Sequence, residues 1–400
     1  MPLGLYISVP FCRSKCSYCN FASDVFSRAV FERYIDRVSV EVDSANDTAE
    51  QIGGHFEAIA DSIFVGGGTP TILDINQLER LFVTISQKFL VPDDAEITVE
   101  CAPGTLSSAM IDALRRCRVN RVSLGVQSFV DAEASSVGRL HKRATVIDDI
   151  SQLRAAGIED INIDLIAGLP HQTSESWEIS LDEALASEVP HVSVYMLEVD
   201  DDSRLGRELM AGGARYHAHF VPDQDLTADL YETACARLNA TGVRQYEISN
   251  FAKNGYQSRH NLKYWTRQPY LGFGVDAHSM LRCSATGVEG VRFSSSETLE
   301  AYVAGAPLKK TAVSSQCALE ETFFLGLRLT TGVNLNQVAE EFGEAAVRAL
   351  TGTISECQEL GLLVSENHWI RLTNRGRLLS NEVFERFIAT PCGAGALVCR

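Results

Sequence analysis

Leu5-Tyr6-Ile7-Ser8-Val9-Pro10-Phe11-Cys12-Arg13-Ser14-Lys15-Cys16-Ser17-Tyr18-Cys19 is the stretch on which the reading of this chain turns. Leu5–Val9 is a β-rich run predicted as a strand, and the loop after it holds Cys12, Cys16 and Cys19 as C-x3-C-x2-C. Iron–sulfur clusters are held by cysteine thiolates, usually four. Three closely spaced thiolates leave one iron without a protein ligand, and an open iron can chelate a substrate. Zinc is the competing metal, but structural zinc takes a closed set of four, and no cysteine or histidine pair stands at suitable spacing nearby.

Outward from that loop, short β-rich runs alternate with amphipathic helical stretches to about residue 250. The predicted strands are Leu5–Val9, Ser62–Val65, Glu96–Glu100, Arg121–Leu124, Ile161–Ile166, His191–Leu197 and Arg244–Ile248. The predicted helices are Phe31–Thr48, Ile75–Phe89, Ser107–Arg116, Ala144–Ala156, Glu175–Ala186 and Leu226–Asn239. Such alternation implies an α/β protein with a mainly parallel sheet. About six units suggest a complete or partial (β/α) barrel, whose site lies at the C-terminal strand ends. From about Thr311 the pattern changes to helices at Leu319–Leu329, Leu335–Phe342 and Ala345–Glu359, then a hairpin of Leu362–Ser365 and Trp369–Leu372. That is a small α+β, winged-helix-like domain. The expected division is 1–250 for the barrel, 251–310 for a connecting segment, 311–387 for the second domain and 388–400 for a loose tail.

Composition narrows the function. With 45% hydrophobic and 22% charged residues, the chain reads as a globular protein with ample core. A formal net charge of −17 argues against a nucleic-acid partner, because a phosphate backbone calls for a basic surface. No run of 18 apolar residues exists, so no stable membrane span is expected. The N-terminus lacks a basic leader and runs straight into the cysteine motif, so the expected location is cytoplasmic. Eleven cysteines, eight of them scattered between Cys101 and Cys399, do not make a disulfide framework.

Phe64-Val65-Gly66-Gly67-Gly68-Thr69-Pro70 places three glycines directly after the second predicted strand, where backbone can approach a ligand closely. With the cysteine pattern and Tyr18 before the third cysteine, the chain resembles the radical S-adenosylmethionine (SAM) superfamily. In that superfamily the open iron binds the amino and carboxylate groups of SAM, and an electron from the [4Fe–4S] cluster breaks a sulfonium C–S bond. The fold implied is a partial barrel of radical SAM type. Further segments narrow the resemblance to the HemN-like family and, within it, the HemW-type haem chaperones. They are Tyr6–Cys12, Gly66–Pro70, Glu100, Gly125-Val126-Gln127-Ser128-Phe129, Gly138-Arg139-Leu140-His141 and Asp164–Pro170. The resemblance implies that Cys12, Cys16 and Cys19 hold the cluster. It assigns Tyr6, Gly67 and Glu100 to SAM, with Tyr18, Gly68, Thr69, Gln127, Arg139 and Asp164 at further SAM-contacting positions. Carboxylates suit an ammonium and ribose hydroxyls, and an arginine suits a carboxylate.

Two features favour the chaperone branch over the oxygen-independent coproporphyrinogen III dehydrogenases. Phe21 stands where the dehydrogenase carries a further cysteine, and the arm before the first strand is short. His260-Asn261-Leu262-Lys263-Tyr264-Trp265 also matches the HNxxYW motif of HemW-type proteins, after Tyr246–Ala252. The resemblance implies a haem site of His260, Asn261, Tyr264 and Trp265: a neutral imidazole can ligate iron, and aromatic rings can stack on porphyrin. Arg259 and Lys263 could meet the propionates. The bland alternative is a hydrogen-bonded loop histidine among core aromatics. Three departures from the family pattern stand out: Ser8 in place of the usual histidine, Cys101-Ala102-Pro103 after Glu100, and Asp276 among small residues. Cys101 is expected to be a buried small hydrophobe. The expected function is a haem chaperone with cluster, SAM, a haem-accepting protein and an electron donor. The alternative is porphyrinogen decarboxylation in haem biosynthesis, and behind it another radical SAM activity such as methyl transfer.

Overall fold

The computed structural model describes residues 1–284 and 287–388, so all but Ile388 of the expected tail lies outside the described residues. Six strands pair in parallel in chain order: β1 (Leu3–Val9), β2 (Ala60–Gly67), β3 (Glu96–Cys101), β4 (Arg121–Gln127), β5 (Asp160–Ala167) and β6 (His191–Met196). Side chains alternate across each strand. On β1, Leu3, Leu5, Ile7 and Val9 are fully buried and belong to the main core with Ile63, Val65, Val99, Val122 and Ile163. The helices between the strands close that layer. In Ile75–Lys88, a capping box of Asp74 and Gln77 starts the helix, and Leu78, Leu81, Phe82 and Ile85 form its buried stripe.

Three sequence expectations are corrected. Phe31–Thr48 is two helices, Ala29–Asp43 and Ala45–Ile52; the Ser44 hydroxyl between them turns back onto the Val40 carbonyl and competes with the helical ladder. Arg244–Ile248 is not a continuous strand. It gives β7 (Arg244–Gln245), turns where Tyr246 N–H donates to the Asn250 carbonyl (3.1 Å), and returns as β8 (Asn250–Ala252), antiparallel to β6. Residues 251–310, expected as connection, run through the sheet. They supply β9 (Tyr270–Phe273), parallel to β1, then β10 (His278–Cys283), β11 (Val288–Ser294) and β12 (Lys309–Ser314) in antiparallel order. The sheet therefore reads β12-β11-β10-β9-β1-β2-β3-β4-β5-β6-β8-β7, with the two-residue strand Gly54–His55 beside β10. It is an open, partial barrel.

The C-terminal part has the expected helices and hairpin: Ser315–Gly326, Leu335–Phe342, Glu344–Glu359, then Leu363–Glu366 against Trp369–Leu372, with Val333–Asn334 as a third strand. Phe323, Ile354, Cys357, Ile370 and Val383 form its own core, to which the barrel contributes Ile248 and Trp265. Arg328 bridges the two parts, 3.7 Å from the buried Glu247 carboxylate and 4.3 Å above the Trp265 ring. Among the described residues, no helix is long and apolar enough to cross a membrane.

Candidate functional site

The three cysteines lie in a loop whose ends are clasped: Asp24 N–H donates to the Pro10 carbonyl (3.0 Å) and Cys12 N–H to the Asp24 carbonyl (3.0 Å). Inside it, Lys15 reaches the Ser23 carbonyl at 2.7 Å. Each thiol has polar neighbours, and Ser23 serves both Cys12 and Cys19. Thr69 Oγ1 lies 3.9 Å from Cys12 Sγ, Arg139 Nη1 3.6 Å from Cys16 Sγ, and Ser23 Oγ 3.8 Å from Cys19 Sγ. Burial pushes the Cys12 and Cys19 thiols up, hydrogen bonds offset part of the rise, and the neighbouring Cys16 raises both further. Among the described residues no three His, Cys, Asp or Glu groups close on a single point as a mononuclear ion requires. A cluster asks for something wider, since each thiolate takes a different iron; Cys12, Cys16 and Cys19 are three free thiols of one loop.

The glycine turn is stitched to this loop. Gly68 N–H donates to the Val9 carbonyl (2.9 Å) and Thr69 N–H to the Phe11 carbonyl (2.8 Å). Gly67 takes φ +97°, which favours glycine, and its N–H donates to Glu100 at 3.0 Å. A Cβ on Gly68 would stand 2.7 Å from both the Val9 and Phe11 carbonyl oxygens. Gly68→Ala must therefore move backbone, at a cost of about 1–3 kcal/mol. The expected outcome is a folded chain, by far-UV circular dichroism, that takes up severalfold less iron and sulfide on anaerobic reconstitution.

The strand ends behind the turn carry the polar groups. Glu100, next to the end of β3, lies beside Asp164 on β5; burial, and then the Asp164 charge, push the Glu100 carboxyl up to about 8. Asp164 is itself raised by burial, although it accepts from Ser123 Oγ (3.0 Å) and Asn162 Nδ2 (2.8 Å). Two adjoining buried carboxyls at elevated pKa are a site for a cation or for hydroxyl donors. Tyr6 faces the same space, with its hydroxyl 3.1 Å from where a Gly67 Cβ would be. Gln127 closes β4 in a left-handed conformation, φ +69°. Arg139 donates to the Gly125 carbonyl as well as to Cys16, and its buried Nε has no hydrogen-bond partner among the described residues. Tyr18 packs against Val137, Ile166 and Leu169. The predicted cluster and SAM residues are thus gathered at one end of the barrel. The orphaned Arg139 N–H, the carboxyl pair and the glycine cradle fit a ligand that carries both a carboxylate and an ammonium.

The predicted haem residues lie elsewhere. The Arg259–Trp265 helix plugs the opposite end: a Cβ on Gly4, at the start of β1, would stand 3.3 Å from the His260 ring. His260 is 1% exposed, with Nδ1 3.2 Å from Ser62 Oγ, Nε2 2.8 Å from Tyr264 Oη, and its backbone N–H on Glu96 (3.0 Å). Burial, then the nearby Lys263 charge, hold its pKa down at about 3, so it is a neutral hub. Phe64 stacks between it and Tyr6 at centroid distances of 5.5 and 6.1 Å. Trp265 belongs to the junction with the C-terminal part, Asn261 donates its backbone N–H to Ser258 Oγ (3.3 Å), and Lys263 pairs with Asp61 (2.8 Å).

Sequence reading missed the layer that fills the barrel between these ends. His191 Nδ1 meets Asn162 Oδ1 (2.6 Å) and its Nε2 meets Tyr246 Oη (2.9 Å); Ser193 bonds Asn250 (2.8 Å), and Arg121 pairs with Asp160 (2.6 Å). The signal was available as polar residues at every second position of β4, β5 and β6: Arg121 and Ser123, Asp160, Asn162 and Asp164, His191 and Ser193.

A strand-end site of this kind on a seven-strand parallel partial barrel defines a protein of radical SAM type, and residues 6–184 match the model of the radical SAM superfamily. Residues 313–379 match the HemN C-terminal domain. The chain is 34% identical to the heme chaperone HemW of Bacillus subtilis, over 96% of this chain and 98% of that one. It is 30% identical to HemW of Escherichia coli, over 97% and 98% respectively. At the level of structure, coproporphyrinogen III oxidase (HemN) of Escherichia coli superposes with a TM-score of 0.81 at 22% identity, over 97% of this chain and 90% of that one. This chain belongs to the HemW family.

Proposed function

We propose that this chain binds haem, a [4Fe–4S] cluster and SAM, and delivers haem to a recipient protein. What supports the reading most is the 34% identity to a heme chaperone across 96% of the chain. The residues around the mouth support the cofactors. Cys12, Cys16 and Cys19 would hold the cluster; Glu100 and Asp164 would take the ammonium and hydroxyls of SAM; Arg139 would take its carboxylate. When bound, the cluster supplies one electron and an open iron. The chain's own contribution is to seat the ligand: Gly67 and Gly68 admit it closely, and Tyr6 and Gln127 bound it. An electron donor is a further partner, and a site built on thiolates belongs in a reducing, cytoplasmic compartment.

Haem binding in this proposal is not routed through His260 in the closed arrangement. To ligate iron there, His260 would have to surrender Tyr264 Oη and the end of the barrel would have to open. The alternative, porphyrinogen decarboxylation, is separated by one experiment. The anaerobically reconstituted protein is incubated with haem and, in parallel, with coproporphyrinogen III, SAM and reductant. Stable haem binding without decarboxylated product is the expected result. Decarboxylated product with haem ignored would make the chain a biosynthetic enzyme.

A further inference from the structure

An iron-binding imidazole needs one free nitrogen, a second nitrogen held by a partner, and an open face. His260 has neither a free nitrogen nor an open face, but a pair at the other end of the barrel does. His171, in the loop after β5, and His217, between the Arg204–Ala211 helix and the Ala218–Phe220 turn, meet with Nε2 of the first 3.1 Å from Nδ1 of the second. The His171 loop leaves the C-terminal end of β5, as the cysteine loop leaves that of β1, and the contact between the two rings brings His217 to the same end. With His217 Nδ1–H donating to His171, the Nε2 of His217 has no hydrogen-bond partner among the described residues.

The surrounding structure holds the pair in place. Both histidines sit in the left-handed region, φ +69° and +62°, which few side chains adopt unless the fold enforces it. Enforcement is visible. His171 N–H donates to the Phe220 carbonyl (2.8 Å), and Glu208 accepts from Tyr216 N–H (2.8 Å) and Ala218 N–H (3.1 Å), on either side of His217. Phe220 stacks on the His171 ring at 4.1 Å and is 56% exposed. The Arg204–Ala211 helix, which carries exposed Leu209 and Met210, packs against the turn that follows His217. An apolar, aromatic surface beside a free imidazole, with Arg215 two residues away, matches the face, the iron and the propionates of haem.

We propose that haem is taken up on this rim, with His217 Nε2 as the iron ligand and His171 as the positioning residue that orients it. The proposal rests on the haem-chaperone reading above. Its test is a titration of the full-length, anaerobically reconstituted chain with ferric haem, followed by absorbance. His217→Ala should lose the imidazole-ligated spectrum and bind at least about tenfold more weakly. His217→Asn should do the same while keeping the turn, since asparagine tolerates positive φ. His171→Ala should weaken binding by about 10–100-fold, as loss of an orienting partner does, and His171→Asn should restore part of it. Iron–sulfur absorbance should be unchanged in all four. Unaltered haem affinity and spectrum in both His217 variants would overturn the assignment. Zn2+ uptake abolished in those same variants, with haem untouched, would make the pair a free-metal site instead. Failure of the unaltered chain to bind haem would remove the chaperone reading itself, and this site with it.

Discussion

Cys16→Ala is expected to yield a folded chain that takes up essentially no cluster, the largest functional effect of any single change described here. Cys16 is 8% exposed, and its sulfur is a direct neighbour of the Arg139 guanidinium. Its loss leaves two thiolates, and two cannot hold a cuboidal cluster against dissociation. Arg139 keeps its bond to the Gly125 carbonyl, so the barrel is not required to rearrange. Iron and acid-labile sulfide per chain after anaerobic reconstitution, with melting temperature as the control, are the measurements. Iron retained at the wild-type level would mean that a different ligand set holds it.

The second large effect is on pH dependence. Burial and the Asp164 charge raise the Glu100 carboxyl from 4.5 to about 8 in the folded chain. Between those values the folded state keeps a proton that the unfolded state has released. Glu100 therefore contributes stability in full below pH 4.5, and loses it as pH rises to 8, by up to about 1.4 kcal/mol per pH unit. Glu100→Gln keeps the shape and an acceptor for Gly67 N–H but has no proton to lose. Thermal melts of the cluster-free protein from pH 5 to pH 8 should show the variant gaining on the wild type as pH rises. Parallel curves would mean that Glu100 is ionised throughout. SAM affinity of the cluster-free protein should rise across the same window in the wild type, because the ionised carboxylate is what attracts the free ammonium of SAM.

Much of this was legible in the sequence, for identifiable reasons. β1 to β6 were found because apolar side chains at every second position must be covered by helices, and that leaves a period-two signature with helical patterns between. Cys12, Glu100 and Gln127 drew notice in the sequence because each closes a strand or follows one within a few residues. The outermost strand was missed because it is scarcely buried: Lys309–Ser314 has one buried residue, Val313, so it carries almost no alternation. The turn at Tyr246–Asn250 was missed because it depends on Glu247, whose carboxylate accepts from the Ser249 N–H (3.0 Å) and the Asn250 side chain. Burial of His260 was hidden for a different reason. Inside a barrel whose filling is polar, a histidine that satisfies Ser62 and Tyr264 leaves the same trace in the sequence as one reserved for iron.

The clasp that joins Pro10 and Cys12 to Asp24 has a consequence for maintenance in the presence of oxygen. A loop tied at both ends has already given up most of the freedom it would lose on closing around a cluster. The empty thiols therefore remain confined near one another, at high effective concentration, while the barrel beneath them stays intact. A cluster destroyed by oxidant could then be rebuilt on the standing protein from iron, sulfide and reductant, without unfolding or fresh synthesis. Damage to this chain would be a reversible loss of cargo rather than the end of the molecule.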